Sequence, residues 1–345
     1  MNDLKRMNYI DNTKGIGIFL VVLGHCYTKE NFITIWLNSF HMPLFFIIVG
    51  YILKYKEIMN GNLSFNLKNR LKNIGIPYIF FGICISLFLA TLSQLGEDNF
   101  KITFLGYIKS LVTLKGVQAL WFLPCLFISE YIFILILNAN INYKVKCLIL
   151  GILFITTLIF SSNISNLSFI VLPRVIIGMG FIFIGYLFYK IVNKQKFSLA
   201  TIIAINLIVF ILSSFNKTSS TMYNLHFNNI IIYIFTSILG SLGMILIFKK
   251  FENVEFKWLK FYGFNSIIIL ATHACIIEII RLIDYKIFND ILIKLDLVGG
   301  IILSIIVMII MIPIVNIINN YFGFLIGRSS NKNKLNINYQ GGYQC

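Results

Sequence analysis

At 345 residues, 58% of them apolar and only 12% charged, with a mean hydropathy of +0.85, the chain carries far less charge than the roughly one quarter usual in soluble domains, which excludes a water-soluble fold. Its formal charge of +16 does not indicate nucleic acid, because the cations sit at alternate helix ends, where membrane orientation and anionic headgroups account for them. Six cysteines are scattered without metal-type spacing, so neither a disulfide framework nor a metal site is expected, and they read as small core residues.

Taken in order, apolar runs approaching the roughly 20 residues that cross a bilayer predict about ten spans. They fall near residues 14–28, 39–55, 73–94, 119–138, 147–162, 169–191, 198–214, 228–248, 263–283 and 298–321. The expected fold is therefore all-α, a polytopic membrane helix bundle with a central cavity. No cleavable signal is expected, because Asp3, Lys5, Arg6, Asp11 and Lys14 crowd the start and no small-residue cleavage site follows the first span. Residues 1–325 form the membrane domain. Residues 326–345, polar and rich in Asn and Lys, read as a disordered cytoplasmic tail.

Cationic bias gives the orientation. With the N-terminus inside, nineteen of the 29 Lys and Arg residues fall in inner segments. The opposite loops hold only Lys29, Lys101, Lys109, Lys115, Lys217, Lys286 and Lys294. Both termini are thus expected in the cytoplasm, N-in and C-in.

Ionisable groups within spans are costly, about 2.5–3.5 kcal/mol at a helix centre, and mark candidate chemistry. Lys14 and His25 are eleven residues apart, which on a helix is about three turns, so they share a face within about 20° and stand about 16 Å apart along the axis. One stripe links an inner cation to an outer imidazole. A snorkelling lysine with a hydrogen-bonded core histidine would give the same spacing. His41 precedes Pro43, which suits a helix's first turn, and this places a second histidine at the outer mouth near His25. Glu130, His273 and Arg174 lie between mid-bilayer and the outer half. Glu278 and Arg281, three apart, read as a structural pair, and His226, in the polar loop from Asn216 to Asn229, as solvent-exposed.

Arg6, Ile10-Asp11-Asn12-Thr13-Lys14-Gly15-Ile16, Leu20-Val21-Val22-Leu23-Gly24-His25, Phe40-His41-Met42-Pro43-Leu44-Phe45-Phe46 and Gly50-Tyr51 together resemble the acyltransferase 3 family of integral membrane acyltransferases, particularly its fucose 4-O-acetylase-like branch. The family's basic residue, ten-residue spacer and histidine are matched by Lys14 and His25. Weaker echoes at Arg70 to Pro77, Leu120 to Pro124 with Glu130, Arg174 with Gly185, and Gly263 to Ser266 with His273 extend the likeness over about residues 5–320. Val49 departs from the serine common before the Gly-Tyr pair.

The resemblance implies O-acyl transfer, usually of acetyl from cytoplasmic acetyl-CoA, to a hydroxyl of a cell-surface or exported glycan. Acyl-CoA is then a donor substrate, with no permanently bound cofactor. Lys14, Arg70 and Lys72 are candidates for the phosphates of coenzyme A. His25 serves as general base or as a covalent acyl carrier. His41 assists, Arg174 meets developing oxyanion charge, and Asp11, Glu130 and His273 support. Many relatives carry an extracellular hydrolase-like domain; the sequence in hand has none, so delivery is expected to be direct or through separate glycan-synthesis or export proteins.

Two other classes fit a bundle with buried charge. An exporter of polysaccharide or lipid-linked sugar also needs a polar mouth, but the polar constellation is concentrated in the first fifty residues and is not mirrored in an inverted repeat. The membrane part of an amino-acid racemase system looks similar but carries a soluble cofactor domain.

Overall fold

The computed structural model describes residues 6–61, 63–96, 99–161 and 170–327. Its principal helices are, in order, α1 (Asn8–Cys26), α2 (Phe32–Asn38), α3 (His41–Asn60), α4 (Ile76–Ser93), α5 (Phe100–Val112), α6 (Phe122–Asn138), α7 (Tyr143–Ile159), α8 (Val171–Lys194), α9 (Leu199–Ser214), α10 (Ile230–Lys250), α11 (Lys257–Phe264), α12 (Ser266–Phe288) and α13 (Asp296–Tyr321). Among the described residues there is no strand, and the one bridge, Thr221 with His226, is isolated. The all-α expectation therefore holds, as does that of several membrane-crossing helices.

Among the described residues, seven segments are long and apolar enough to cross a bilayer: Phe32–Asn60, Leu67–Ser93, Gln118–Asn138, Val171–Lys194, Ile230–Lys250, Ser266–Phe288 and Asp296–Tyr321. The other three expected spans correspond to α1, which carries Asp11 and Lys14, and to α7 and α9, which are 17 and 16 residues long. The apolar faces are left open: Ile203, Leu207, Phe210 and Ile211 on α9, and Ile301, Ile305, Ile309 and Ile312 on α13, are exposed. Such patches belong against lipid rather than water. This is a multi-pass membrane protein. The expected tail, apart from Ile326 and Gly327, and the ends of the spans drawn at 162 and 169 lie outside the described residues.

The described residues divide into two compact units, one of Met7–Phe65 with Ile128–Phe264, the other of Asn66–Phe127 with residues 265–327. In the first, α3 and α8 run parallel with glycines at their crossing. A Cβ on Gly50 would strike the Ile182 carbonyl, and one on Gly185 the Ile47 carbonyl. Where lipid is as apolar as the side chains, this close backbone approach supplies the attraction between helices. Helix α11 lies backbone to backbone on the start of α1: a Cβ on Gly15 would meet the Leu259 carbonyl, and one on Gly263 the Asp11 carbonyl. Helix α10 ties to the turn before α3 through Ser237 Oγ, which donates to the Ser39 carbonyl at 2.6 Å.

At the far end of this unit, the Tyr9 and Tyr51 hydroxyls meet at 2.8 Å. Asn193 Nδ2 donates to Tyr51 Oη at 2.8 Å. Lys249 donates to Asn193 Oδ1 and lies 5.4 Å from the Tyr9 ring centre. The ends of α1, α3, α8 and α10 are thereby joined by one chain of hydrogen bonds.

In the second unit, Pro77 has no N–H to give the preceding turn, and the helix there widens, with Ile76 N–H reaching back to the Leu71 carbonyl. Tyr78 Oη donates to the Leu111 carbonyl at 2.7 Å, tying α4 to α5. Asn319 Nδ2 donates to Asn265 Oδ1 at 3.0 Å, tying α13 to the turn before α12. Gly116, at φ 77°, makes a turn in which any Cβ would press on the Trp121 backbone.

Candidate active site

Helix α1 presents Lys14, half-buried, and His25, exposed in its last turn. At 100° per residue, their shared stripe falls between two occupied faces of α1. One carries Gly17, which meets Leu44 and Phe45 of α3; the other carries Asp11 and Gly15, which meet α11. Ahead of Lys14, Asp11, Asn12 and Thr13 are all buried, and Thr13 Oγ1 turns back to the Tyr9 carbonyl at 2.7 Å. A polar run buried this deeply is held by the α11 contact.

His41 opens α3, as the Pro43 signal predicts, and is 6% exposed. Its Nδ1 lies 2.6 Å from the Leu37 carbonyl. That contact fixes the ring against α2 and leaves Nε2 as the nitrogen for any further partner. With Gly17 of α1 against Leu44 and Phe45 of α3, the last turn of α1 and the first turn of α3 lie toward one end of the first unit, the end opposite the Tyr9–Lys249 network.

Arg174 reaches the same level. Phe46 packs at Gly178, Gly50 at Ile182, and Lys54 Nζ meets Tyr186 Oη at 3.0 Å, a constant offset of 132 in residue number. Continued upward, this register sets the Arg174 turn beside His41. Arg174 is 3% exposed. Its Nε donates to the Tyr223 carbonyl at 2.9 Å, Nη2 donates to the same oxygen, and the guanidinium carbon lies 4.8 Å from the Tyr223 ring centre.

Glu130, 2% exposed, follows Ser129, whose hydroxyl donates to the Val175 carbonyl at 2.9 Å. Ser129 thereby ties α6 to α8, beside Gly178. His25, His41 and Arg174, read separately along the sequence, lie toward one end of one unit.

The remaining candidates stand in the other unit. Arg70 is half-buried and Lys72 exposed, flanking the widened turn before Pro77. His273 is fully buried in α12, with Nδ1 2.8 Å from the Ile269 carbonyl. Arg281 and Glu278 pair at 3.5 Å along one face of α12. Among the described residues no group of three His, Cys, Asp or Glu side chains could hold a metal ion. Of the cysteines, Cys26 and Cys125 are buried, whereas Cys84 is exposed and so departs from the expected core role.

A model of the acyltransferase domain of acyltransferase 3 proteins matches residues 7–319. The chain belongs to the acyltransferase 3 family. No curated protein and no solved structure matches it. The match spans every residue placed above, so the histidine end belongs to a membrane acyltransferase. His226 in the polar loop from Asn216 to Asn229 is exposed, as expected, and the loop itself is fastened to that end through Tyr223. The only sequence signal for it was a buried arginine in α8 that had to find acceptors.

Proposed function

We propose that this acyltransferase moves an acyl group, preferentially acetyl, from cytoplasmic acyl-CoA to a hydroxyl of a cell-surface or exported glycan, in the manner of fucose 4-O-acetylase-like members. The supporting observation is that the family match from 7 to 319 encloses a pair of histidines, His25 and His41, at the end of α1 remote from Lys14. The chain then crosses the bacterial cytoplasmic membrane about ten times with both termini inside. Lys14 receives the phosphates of the donor in the first unit; Arg70 and Lys72 are candidates for the same role in the second. The axial rise of about 16 Å from Lys14 to His25 is comparable to an extended pantetheine arm, which brings the thioester to the imidazole.

There, a His25 nitrogen takes the proton of the acceptor hydroxyl as its oxygen attacks the thioester carbonyl. The C–S bond breaks, and the imidazolium returns the proton to the departing thiolate. In the covalent variant, the imidazole nitrogen attacks first and releases the thiol, and the acceptor oxygen then takes the acyl group from nitrogen. His41 orients the acceptor, and Arg174 supplies positive charge where the tetrahedral oxyanion develops. Asp11 and Glu130 support these groups as carboxylate partners, and His273 is a supporting candidate within the second unit.

The test is transfer in sealed, inside-out membrane vesicles carrying the protein, with acetyl-labelled acetyl-CoA added outside and glycan within. Label appearing on lumenal glycan, absent from vesicles without the protein, is expected. Label that never leaves acetyl-CoA would refute donor and acceptor together.

A further inference from the structure

The α9–α10 loop, residues 216–229, has the form of a built surface rather than a linker. Its backbone is fastened at three places. Glu30, five residues beyond His25, accepts the Ser219 N–H. Thr221 and His226 exchange backbone hydrogen bonds at 2.8 and 3.2 Å. Asn228 N–H donates to Ser220 Oγ at 3.2 Å.

Ser220, Met222 and Leu225 turn inward and are buried, and the Phe227 ring packs 4.5 Å from that of Tyr233. Leu225 takes φ 55°, a strained setting for a branched side chain that only a fixed loop maintains. What this leaves facing outward is Tyr223, 43% exposed, flanked by exposed Asn224, His226 and Asn228.

We propose that this loop is the acceptor subsite, with the outward face of Tyr223 as a stacking platform for a pyranose and Asn224 as a partner for its hydroxyls. The inference rests on the acyltransferase reading above and names what selects its acceptor. A sugar ring presents a face of C–H groups edged by hydroxyls. An aromatic face carries negative charge density suited to the former, and amide side chains both donate and accept to the latter.

Arg174 beneath the ring and on its carbonyl keeps the platform from turning, so little ordering remains to be done when the acceptor binds. A tyrosine merely anchoring the chain among headgroups has no use for a buried arginine holding both its ring and its backbone. The loop is at the right place: its two outside fastenings are Glu30, just past His25, and Arg174, level with His41. An acceptor stacked on Tyr223 would therefore approach the histidine pair.

The experiment uses the full chain, purified in detergent and returned to vesicles of phosphatidylethanolamine, with acetyl-CoA as donor and a panel of methyl fucoside, methyl glucoside and methyl N-acetylglucosaminide as probe acceptors. Hydrolysis of acetyl-CoA by water is followed in parallel. We expect Tyr223→Ala and Asn224→Ala to raise the KM for the preferred glycoside about tenfold and about threefold, leaving the KM for acetyl-CoA unchanged. Tyr223→Phe keeps the wild-type value. Glycoside KM values within twofold of wild type in both alanine variants would overturn the subsite. So would transfer to the amine of phosphatidylethanolamine with none to any glycoside, while leaving the acyltransferase reading standing. Wild-type protein that neither hydrolyses acetyl-CoA nor transfers from it would instead remove that reading, and the subsite with it.

Discussion

Gly50→Ala at the crossing of α3 and α8 tests whether close backbone packing sets the position of the histidine end. A methyl group there meets the Ile182 carbonyl, which as backbone cannot swing aside. The helices must part by on the order of 1.5 Å before carbon and oxygen reach the ~3.3 Å of a close C–H···O approach. Overpacking of this kind costs about 1–3 kcal/mol, and the reciprocal Gly185→Ala, which meets the Ile47 carbonyl, belongs to the same range. Because both wedge one interface, the double variant is expected to cost less than the two losses added together.

Gly151→Ala is the control: it lies within α7 with nothing inside 4 Å of a new Cβ, so it gains about 0.5–1 kcal/mol from the lower backbone entropy of alanine. Thermal unfolding of detergent-purified protein by intrinsic fluorescence reads all four. The midpoint falls by several degrees for either crossing variant and holds or rises for Gly151→Ala. Equal midpoints for Gly50→Ala and Gly151→Ala would refute the claim that the crossing depends on bare backbone. Since α3 carries His41 and α8 carries Arg174, transfer should fall with the midpoint in the first two variants only.

Tyr51→Phe removes the hydroxyl that meets buried Tyr9 and exposed Asn193, at about 1 kcal/mol, read as a lower unfolding midpoint. Arg281→Gln breaks an i,i+3 pair at 3.5 Å whose partners are partly exposed, so a change within about 0.5 kcal/mol is expected in the same assay. Orientation is checked by impermeant thiol labelling of intact cells in a Cys84→Ser background. Asn224→Cys should label from outside, and Glu255→Cys only after permeabilisation.

Much of the arrangement was legible in the sequence because its signals are local. Pro43 marks the start of α3 to within two residues, and eleven-residue spacing alone places Lys14 and His25 on one stripe. The span expected at 263–283 begins three residues ahead of α12, which opens at Ser266. The short helices α2 and α11 were not legible, because α11 forms where Gly15 and Gly263 let it lie on α1, a contact between residues far apart in the chain. The Tyr9–Tyr51–Asn193–Lys249 chain draws one side chain from each of four helices, so no window of sequence contains it. The loop at Tyr223 was missed for the same reason: its composition is that of a solvated linker, and its order comes from Arg174 and Glu30.

The central claim, acyl transfer centred on His25, is met most directly by comparing wild type with His25→Ala and Lys14→Ala in membranes at matched protein levels, following label from acetyl-CoA to surface glycan. Loss of a positioned base or acyl carrier predicts that His25→Ala lowers transfer by about 10²–10⁴-fold, while in Lys14→Ala a raised KM for acetyl-CoA accompanies residual transfer. Transfer at the wild-type rate in a folded His25→Ala protein would contradict the account.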